Sequence, residues 1–305
     1  MYTLLFLAAV TTHYEPLSAA MHGGRAYVTM LDGTLMKVNP REQAANRLFQ
    51  RPGIAEGGLL STQKGLYLIG LNTIAKLQDS SITPLWVDPK SGSSNRRYIV
   101  SDDGKLVGVR QGSSLRRKFL YISTRKPLSN RAVYADGPIY FSSENNSYYV
   151  NSGTSIVRMS PTIAELALPK HLAGANIASI AYLEHKKFAI ILTKSGHNFL
   201  QLFSDKQNRL IANSNSAALT PDYYAHSRIS SSITSRDKYL VVGGLRSISI
   251  FSFSSGSLRL IKATQLKEPS ISIAGNGLPL AYLFSSKGFA ELNLESGALS
   301  GWTNW

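Results

Sequence analysis

The sequence contains no cysteine and few acidic residues, and both shortages limit what the protein can be. Without cysteine there can be no disulfide framework, no thiolate nucleophile and no cysteine-ligated zinc or iron–sulfur site. Only 18 residues are acidic against 33 basic ones, which gives a formal charge of +15. No apolar run approaches the roughly 20 residues that a membrane-spanning helix needs. These absences exclude small domains stabilised by disulfide bonds, enzymes with a catalytic cysteine and proteins with a helical membrane span.

Aromatic and aliphatic residues, by contrast, are plentiful. The 305 residues include 15 Tyr, 11 Phe and 3 Trp, and 43% of the chain is hydrophobic. A disordered chain is poor in such residues, so the composition predicts a folded protein with a sizeable core. A single domain of this length buries roughly 75% of the surface of the unfolded chain, so it needs no disulfide or metal for stability.

Short apolar runs rich in Tyr, Val, Ile, Leu and Phe recur along the chain, most of them after a turn that contains Gly or Lys. Their spacing is roughly 33 to 51 residues, which is around the length of one β-propeller blade. The runs are Gly24–Val28, Gly65–Ile69, Gly104–Gly108, Gly137–Phe141, Lys187–Ile191, Lys238–Val242 and Leu280–Phe284. This pattern predicts seven similar units in which each run is the second of four strands.

The first unit contains a clear hairpin signal. Asp32-Gly33 separates two apolar runs, and an Asp-Gly pair is typical of a two-residue turn in which both central residues have positive φ. The sixth unit has the plainest strand pattern, with four predicted strands at Ile229–Ser235, Tyr239–Gly243, Ile248–Phe253 and Leu258–Ala263. Both units are therefore predicted to be four-stranded antiparallel meanders.

The units resemble β-propeller blades of the YVTN and NHL kind. The residues that carry the resemblance are Tyr27 and Val28, Leu66 and Tyr67, and Tyr239–Val242. The resemblance implies an all-β fold with a single seven-bladed β-propeller. The alternatives are a pair of β-sandwiches or an irregular β-protein.

We expect one domain over residues 1–305. The apolar segment Tyr2–Val10 is predicted to be a strand within residues 1–10 that closes the ring, because open sheet edges favour aggregation. The seven blades are predicted at about 17–51, 55–90, 96–131, 132–170, 177–215, 228–267 and 270–305.

Basic residues are concentrated in one segment of the chain. Between Arg96 and Arg131 there are ten basic residues and only two acidic ones, Asp102 and Asp103. Such a segment is either a solvated surface or a contact surface for phosphate, anionic lipid or an acidic partner. We take as candidate partner-binding residues Arg96, Arg97, Arg116, Arg117, Lys118, Arg125 and Lys126.

Aromatic pairs supply further candidates. Trp302 and Trp305 lie within the last four residues, where they are expected either to cap the core or to dock on a neighbour. Both are included as candidate partner-binding residues. In Tyr148-Tyr149 one ring can pack inward while the other faces water as a contact residue, and simple packing is the favoured interpretation.

Motifs for catalysis are missing. The sequence has no P-loop and no Gly-x-Ser-x-Gly elbow, and its six histidines are scattered without a His-Glu-x-x-His pattern. We therefore predict no enzyme activity, no cofactor and no metal site. A site at a channel mouth is the alternative, with turn residues as its candidates: Asp102, Asp103, Asp136, Glu184, His185 and Asp237.

These features favour a structural or interaction protein. The Ser- and Asn-rich loops of low charge, the basic segment and an N-terminus that fits a strand better than an export signal favour a phage tail component. In these features the chain resembles the small propeller-bearing nozzle proteins of short-tailed bacteriophages, which implies a virion location, assembly into an oligomeric ring and contact with other tail proteins. Contact with passing DNA or another polyanion is a further expectation. The alternatives are a periplasmic or extracellular ligand-binding propeller and a propeller enzyme such as a metal-dependent lactonase.

Overall fold

The computed structural model of the protein consists of β-strands joined by turns. It describes residues 15–39, 42–50, 58–62, 64–69, 73–78, 80–87, 96–100, 106–111, 116–121, 133–134, 139–142, 147–159, 163–183, 186–219, 228–233, 238–244, 246–254, 257–267, 272–275 and 279–305. Within these ranges there is no α-helix, and one 3₁₀ turn spans Lys170–Leu172. The predicted closing strand at 1–10 lies outside the described residues.

The strands form seven antiparallel sheets, each made of strands that are consecutive in the sequence. Sheet 1 contains β1 (Pro16–His22), β2 (Arg25–Met30), β3 (Thr34–Asn39) and β4 (Ala44–Gln50). Sheet 2 contains β5 (Gly58–Thr62), β6 (Gly65–Ile69), β7 (Thr73–Gln78) and β8 (Ser81–Val87). Sheet 3 contains β9 (Arg96–Val100), β10 (Leu106–Gln111), β11 (Arg116–Tyr121) and β12 (Val133–Tyr134).

The remaining four sheets follow the same order. Sheet 4 contains β13 (Ile139–Ser142), β14 (Ser147–Asn151), β15 (Ser155–Arg158) and β16 (Ala164–Ala167). Sheet 5 contains β17 (Asn176–Tyr182), β18 (Lys187–Lys194), β19 (His197–Lys206), β20 (Arg209–Ala212) and β21 (Ala217–Ala218), the last of which also pairs with β19. Sheet 6 contains β22 (Arg228–Ile233), β23 (Lys238–Gly243), β24 (Ser247–Ser254) and β25 (Ser257–Gln265). Sheet 7 contains β26 (Ser272–Gly275), β27 (Leu280–Ser285), β28 (Gly288–Asn293) and β29 (Thr303–Asn304).

The first strand of sheet 1 contacts both the next sheet in the sequence and the last one. β1 lies against β5 of sheet 2 and also against β26 of sheet 7. Between sheets 1 and 7, Val28 and Met30 pack in one cluster with Tyr282, Phe284 and Phe289. Sheets 1 and 7 therefore pack directly on each other, and the C-terminal residues supply the fourth strand of sheet 7.

The second strand of several sheets is buried along nearly its whole length. β2, β14 and β18 each contain at least five consecutive buried residues. A strand covered on both faces by neighbouring sheets is apolar throughout, whereas a half-exposed strand alternates. This is why continuous apolar runs, and not alternating ones, identify the second strands. Six of the seven predicted runs occupy this position, and the exception is in sheet 4.

In sheet 4 the run Gly137–Phe141 falls on the first strand, β13, and the second strand is β14. Tyr148 and Tyr149 on β14 are exposed by only 3% and 0%, so both rings are packed inside the protein and neither faces water. The cause is the position of β14, all five residues of which are buried. Tyr149 packs against Tyr182 and Phe188 of sheet 5, at ring-centroid distances of 5.9 and 5.0 Å.

The turn at Asp32-Gly33 also differs from the prediction. The loop has three residues, Leu31 to Gly33, and of these only Gly33 has positive φ, at 81°. The Gly33 N–H donates to the Met30 carbonyl at 3.0 Å. Asp32 instead accepts from the backbone N–H and the hydroxyl of Thr34, both at 2.9 Å. The aspartate thus stabilises the turn by hydrogen bonding, without taking the left-handed conformation.

The outer strands carry residues that discourage pairing with other chains. Exposed Arg47, Arg209 and Lys262 lie on the fourth strands β4, β20 and β25. On β8 exposed Pro84 lies opposite Ala75, beside an irregularity in the register. Charged residues and proline are common on edge strands, because they prevent edge-to-edge association.

Candidate partner-binding surface

Five of the predicted partner-binding residues lie at one end of sheet 3. Arg96 and Arg97 begin β9, while Arg116, Arg117 and Lys118 begin β11. In a four-stranded meander the starts of the first and third strands lie at the same end of the sheet as the end of the second. That second strand, β10, adds Arg110 to the group as its next-to-last residue.

We call these six residues the basic end of sheet 3: Arg96, Arg97, Arg110, Arg116, Arg117 and Lys118. The four described strands of this sheet contain no acidic residue. Asp102 and Asp103 follow Val100 in the sequence and precede Leu106, and Val100 and Leu106 pair at the opposite end of the β9–β10 hairpin. Within the described part of sheet 3, basic residues are therefore concentrated at one end.

The backbone register lines up three of these residues across three strands. Arg96 of β9 is paired with Arg110 of β10, and Arg110 is paired with Lys118 of β11. Directly opposed residues of an antiparallel pair have Cα atoms about 4.5–5.5 Å apart. Like charges in opposed positions destabilise a sheet. We call this line of three residues, Arg96, Arg110 and Lys118, the basic row.

The remaining bases flank the basic row. Arg97 is paired with Val109, one register position further into the sheet. On the other side Arg117 is paired with Gln111 and with Val133. Arg116, the first residue of β11, is paired with Tyr134. Every cross-strand partner of these three bases in the described strands is uncharged.

Sequence reasoning missed Arg110, and two predicted residues could not be located. Arg125 and Lys126 lie outside the described residues. Arg110 was within the basic segment but was not chosen, because its pairing with Arg96 and Lys118 depends on the register.

The two tryptophans lie on sheet 7, apart from the basic end. The Trp305 indole Nε1–H donates to the Ser285 carbonyl at 2.9 Å. Its ring stacks on Phe284 at a centroid distance of 6.4 Å and contacts Phe289 at 6.1 Å. Trp302 packs against the hydrophobic cluster shared by sheets 6 and 7. Both indoles are partly exposed, and each covers an apolar junction between sheets of its own chain.

A buried ion pair joins sheets 4 and 5. Arg158 Nη1 donates to Asp205 Oδ2 at 2.7 Å, and the Asp205 side chain is 1% exposed. The Tyr149 hydroxyl donates to the same oxygen at 3.2 Å, and Arg158 also donates to Asn208. No sequence pattern indicates this cluster, because Arg158 and Asp205 are 47 positions apart.

The inner strands of sheets 1 and 2 are joined by polar contacts. His22 Nδ1 lies 3.1 Å from Ser61 Oγ, and the Leu59 N–H donates to Ser18 Oγ at 3.1 Å.

Among the described residues no three His, Asp or Glu side chains lie close enough together to hold a metal ion. The six residues proposed for a channel-mouth site, from Asp102 to Asp237, all lie outside the described residues. In the part of the chain that the structure describes, no helix has the length and apolarity to span a membrane.

Comparison with known proteins identifies the fold. No protein-family model matches the sequence, and no curated protein matches it. Among solved structures, a catalytically inactive virginiamycin B lyase from Staphylococcus aureus with quinupristin is 12% identical. The match has a TM-score of 0.60 and covers 91% of this chain and 94% of the lyase.

Two further structures are similar over nearly their whole length. A streptogramin B lyase is 12% identical, with a TM-score of 0.59 over 89% of this chain and 90% of the other. An uncharacterized protein of Listeria monocytogenes is 10% identical, with a TM-score of 0.57 over 96% and 95%. The lyases are β-propeller proteins, so the likeness supports a β-propeller fold for this chain. At these identities it shows the fold alone.

Proposed function

We propose that this chain is a non-enzymatic interaction protein, built as one seven-bladed β-propeller over residues 1–305, that binds an anionic partner through the basic end of sheet 3. The observation that carries the proposal is the basic row. Three opposed cations are unfavourable in the isolated protein, and a bound anion removes that penalty.

The ring is part of the proposal. Seven sheets follow one another in the sequence, and the packing of sheet 1 on sheet 7 supports closure into a single ring. A closed ring leaves no inner sheet edge open, so the scaffold would be rigid. An experimental structure showing seven sheets about one axis would agree with this proposal, whereas two stacked layers without an axis would contradict it.

Binding can be tested without knowing the natural partner. The protein would be titrated with a panel of anionic polymers consisting of polyglutamate, heparin and nucleic acid. Reversal of Arg116, Arg117 and Lys118 to Glu should abolish binding to the preferred polymer without lowering the melting temperature. The matched control reverses three exposed bases from the opposite ends of other sheets: Arg25, Lys64 and Arg209. Absence of binding to every polymer, or equal losses in both variants, would reject the proposed function.

The cellular setting is a separate part of the proposal. We propose a bacteriophage virion or short-tail component, of the nozzle type, that assembles with itself and with other tail proteins. Its support is the Ser- and Asn-rich composition of the loops together with the basic segment, and its test is stoichiometry in purified particles together with native mass spectrometry. A protein that stays monomeric at high concentration and is absent from particles would exclude this setting. A mature chain beginning near Ala20 would instead favour a periplasmic or extracellular ligand-binding propeller.

A lyase activity is the second candidate function, and it rests on the names of two structural neighbours that each cover about nine-tenths of this chain. Incubation with quinupristin followed by mass spectrometry tests it directly. Conversion of the antibiotic would replace the non-enzymatic proposal. Unchanged quinupristin at high protein concentration would exclude this substrate.

A further inference from the structure

We infer that the outer edge of β25 (Ser257–Gln265) binds an extended acidic segment of a partner protein, which pairs with it as a fifth strand of sheet 6. The inference goes beyond the proposed function, because it concerns a different sheet. β25 is the last strand of sheet 6 and is paired with β24 alone. Among the described residues no backbone hydrogen bond joins β25 to any other segment.

β25 is the outer strand best suited to pair with another chain. It has nine residues, whereas β4 and β8 have seven and β16 and β20 have four. Six of the nine residues are exposed, among them Leu260, which is 51% exposed. An extended peptide can bind by adding a strand to such an edge, since the backbones of both partners supply the hydrogen bonds.

An irregularity in the register puts the two cations of β25 on one face of the sheet. Arg259 is paired with Ser252 and Lys262 with Ile250, and Ile261 between them has no partner. Ser252 and Ile250 are two positions apart on β24, and residues at that spacing share a face of a sheet. Arg259 and Lys262 therefore share a face as well, although they are three positions apart.

The two faces of β25 differ in chemistry. Arg259 and Lys262 are exposed, and no described residue forms an ion pair with either. The strand has no acidic residue of its own. Leu260 is paired with Phe251, next to Ser252 on β24, so it lies on the face opposite the cations. An added strand with acidic side chains on one face and apolar side chains on the other complements both, because opposed pairs of either kind stabilise a sheet.

The cations also decide which occupant fits. Two copies of β25 paired with each other would combine only like charges, which oppose association at an edge. An acidic segment turns the same charges into attractive pairs. A nucleic acid would neutralise the cations, but it has no peptide groups to pair with the edge and no use for the exposed Leu260. The combination of free edge, cations and exposed leucine therefore favours an acidic polypeptide.

Sheet 2 indicates which N–H of β25 is directed outward. On β8 Pro84 is the last residue before the register irregularity, and Leu260 has the same position on β25. Proline has no N–H, so pairing with the inner strand does not need a donor at this position. The Leu260 N–H is therefore directed away from β24 and can donate to an added strand. Leu260→Pro should remove this donor and leave the pairing of β25 with β24 intact.

The test measures binding of a labelled peptide of alternating glutamate and valine, about as long as β25, to the full-length protein by fluorescence anisotropy. A block peptide has the same composition with glutamates and valines separated. A methylated peptide keeps the alternation but carries a methyl group on each backbone nitrogen, so it cannot donate hydrogen bonds.

The protein variants separate charge from backbone pairing. The charge variant carries Arg259→Gln and Lys262→Gln, and its matched control carries Arg25→Gln and Arg209→Gln, which are exposed bases of sheets 1 and 5. The edge variant is Leu260→Pro, and its matched control is Leu260→Gln, which keeps the backbone N–H. Melting temperatures show whether each variant is folded.

We expect the charge variant to bind the alternating peptide about 5-fold more weakly at low salt, since two opposed pairs of charges are lost. Leu260→Pro should weaken binding about 10-fold or more, because a backbone hydrogen bond is lost and the ring obstructs the edge. Leu260→Gln should weaken it only about 2-fold. The control pair should bind as the wild type does. If Leu260→Pro does not fold, the methylated peptide on the wild type replaces it, with the same expected loss.

Several results would overturn the inference. Absence of binding, or equal binding of the block or methylated peptide, would exclude strand addition. Equal weakening in the charge variant and its control would show a dependence on net charge only. Self-association that Leu260→Pro removes, without binding of the peptide, would assign the edge to a second copy of this chain.

The basic end of sheet 3 is tested separately from this edge. The variant with Arg116, Arg117 and Lys118 reversed to Glu should bind the alternating peptide as the wild type does. If this variant lost the peptide while Leu260→Pro kept it, the acidic partner would belong to sheet 3. In that case the inference fails while the proposed function stands.

Discussion

The backbone of Thr303 occupies the space beside Gly288 that a side chain would need. A Cβ built on Gly288 would lie 1.8 Å from the Thr303 carbonyl oxygen, well inside van der Waals contact. Gly288 is paired with Asn304 in the β28–β29 ladder, so this close approach is part of the attachment of the C-terminal residues to sheet 7. The position of Trp305, two residues after Thr303, therefore depends on a glycine at position 288.

Gly288→Ala is predicted to displace the C-terminal segment. The methyl group collides with backbone, which cannot move aside as a flexible side chain would, so β29 must separate from β28. We expect a loss of roughly 1–3 kcal/mol of unfolding free energy, because packing around Trp305 is lost along with the strand pair. The measurement is urea unfolding combined with tryptophan emission, which should shift to longer wavelength.

Gly301→Ala is the matched control for this prediction, since a Cβ at Gly301 would meet no atom within 4 Å. Its stability and emission should equal those of the wild type. If Gly288→Ala left both quantities unchanged as well, the described pairing of β28 with β29 would be wrong.

Trp305 is predicted to stabilise the junction between sheets 7 and 1 mainly through its ring. Trp305→Phe keeps an aromatic ring against Phe284 but removes the hydrogen bond to the Ser285 carbonyl, so we expect a loss of about 1 kcal/mol. Trp305→Ala also removes the ring contacts and should lose about 2–4 kcal/mol. Thermal unfolding measures both, and equal effects of the two variants would show that the hydrogen bond alone matters.

Much of the fold could be predicted from the sequence because burial of the second strands is so complete. The prediction of an all-β, propeller-like fold is confirmed, since strands such as β18 are apolar on both faces and appear as continuous runs. The error in sheet 4 has the same origin. Both Ile139–Phe141 and Tyr148–Val150 are continuous apolar runs, and their order in the sheet depends on neighbours that the sequence does not specify.

The candidate site was less predictable than the fold. Composition located the basic segment, but only the register shows that Arg110 lies between Arg96 and Lys118. A shift of one residue would move every residue to the other face, so no pattern along one strand predicts such a row. The contact of Arg158 with Asp205 could not be predicted from the sequence either, because the two residues belong to different sheets and meet only when those sheets pack together.

Arg158 and Asp205 are predicted to couple strongly in stability. Arg158→Met leaves the buried carboxylate of Asp205 with only the Tyr149 hydroxyl as a described side-chain partner, so we expect a loss of about 3–5 kcal/mol. The double variant Arg158→Met, Asp205→Leu removes both charges and should lose less than Arg158→Met alone. Urea unfolding of the single and double variants measures the coupling energy.

Arg209→Met provides the control for this pair, since Arg209 is exposed and lies in the turn region next to Asp205. Its effect should stay within about 0.5 kcal/mol, as for most surface substitutions. A double variant less stable than Arg158→Met would mean that the ion pair stabilises the interface between sheets 4 and 5 more than apolar packing does.

Arg110→Gln is predicted to stabilise the free protein, although it weakens binding. Arg110 is opposed by Arg96 on one side and by Lys118 on the other, so its neutralisation removes two repulsive pairs. We expect unfolding free energy to rise by roughly 0.3–1 kcal/mol at low salt. The gain should shrink as salt rises, because the Debye length falls from about 10 Å at 0.1 M to about 3 Å at 1 M. Thermal unfolding at several salt concentrations measures this, with Arg25→Gln as the control that has no opposed cation in its described pairing. A loss of stability in Arg110→Gln that shrinks as salt rises would mean that Arg110 is paired with an acidic group of the protein, and the basic row would then not be free for a partner.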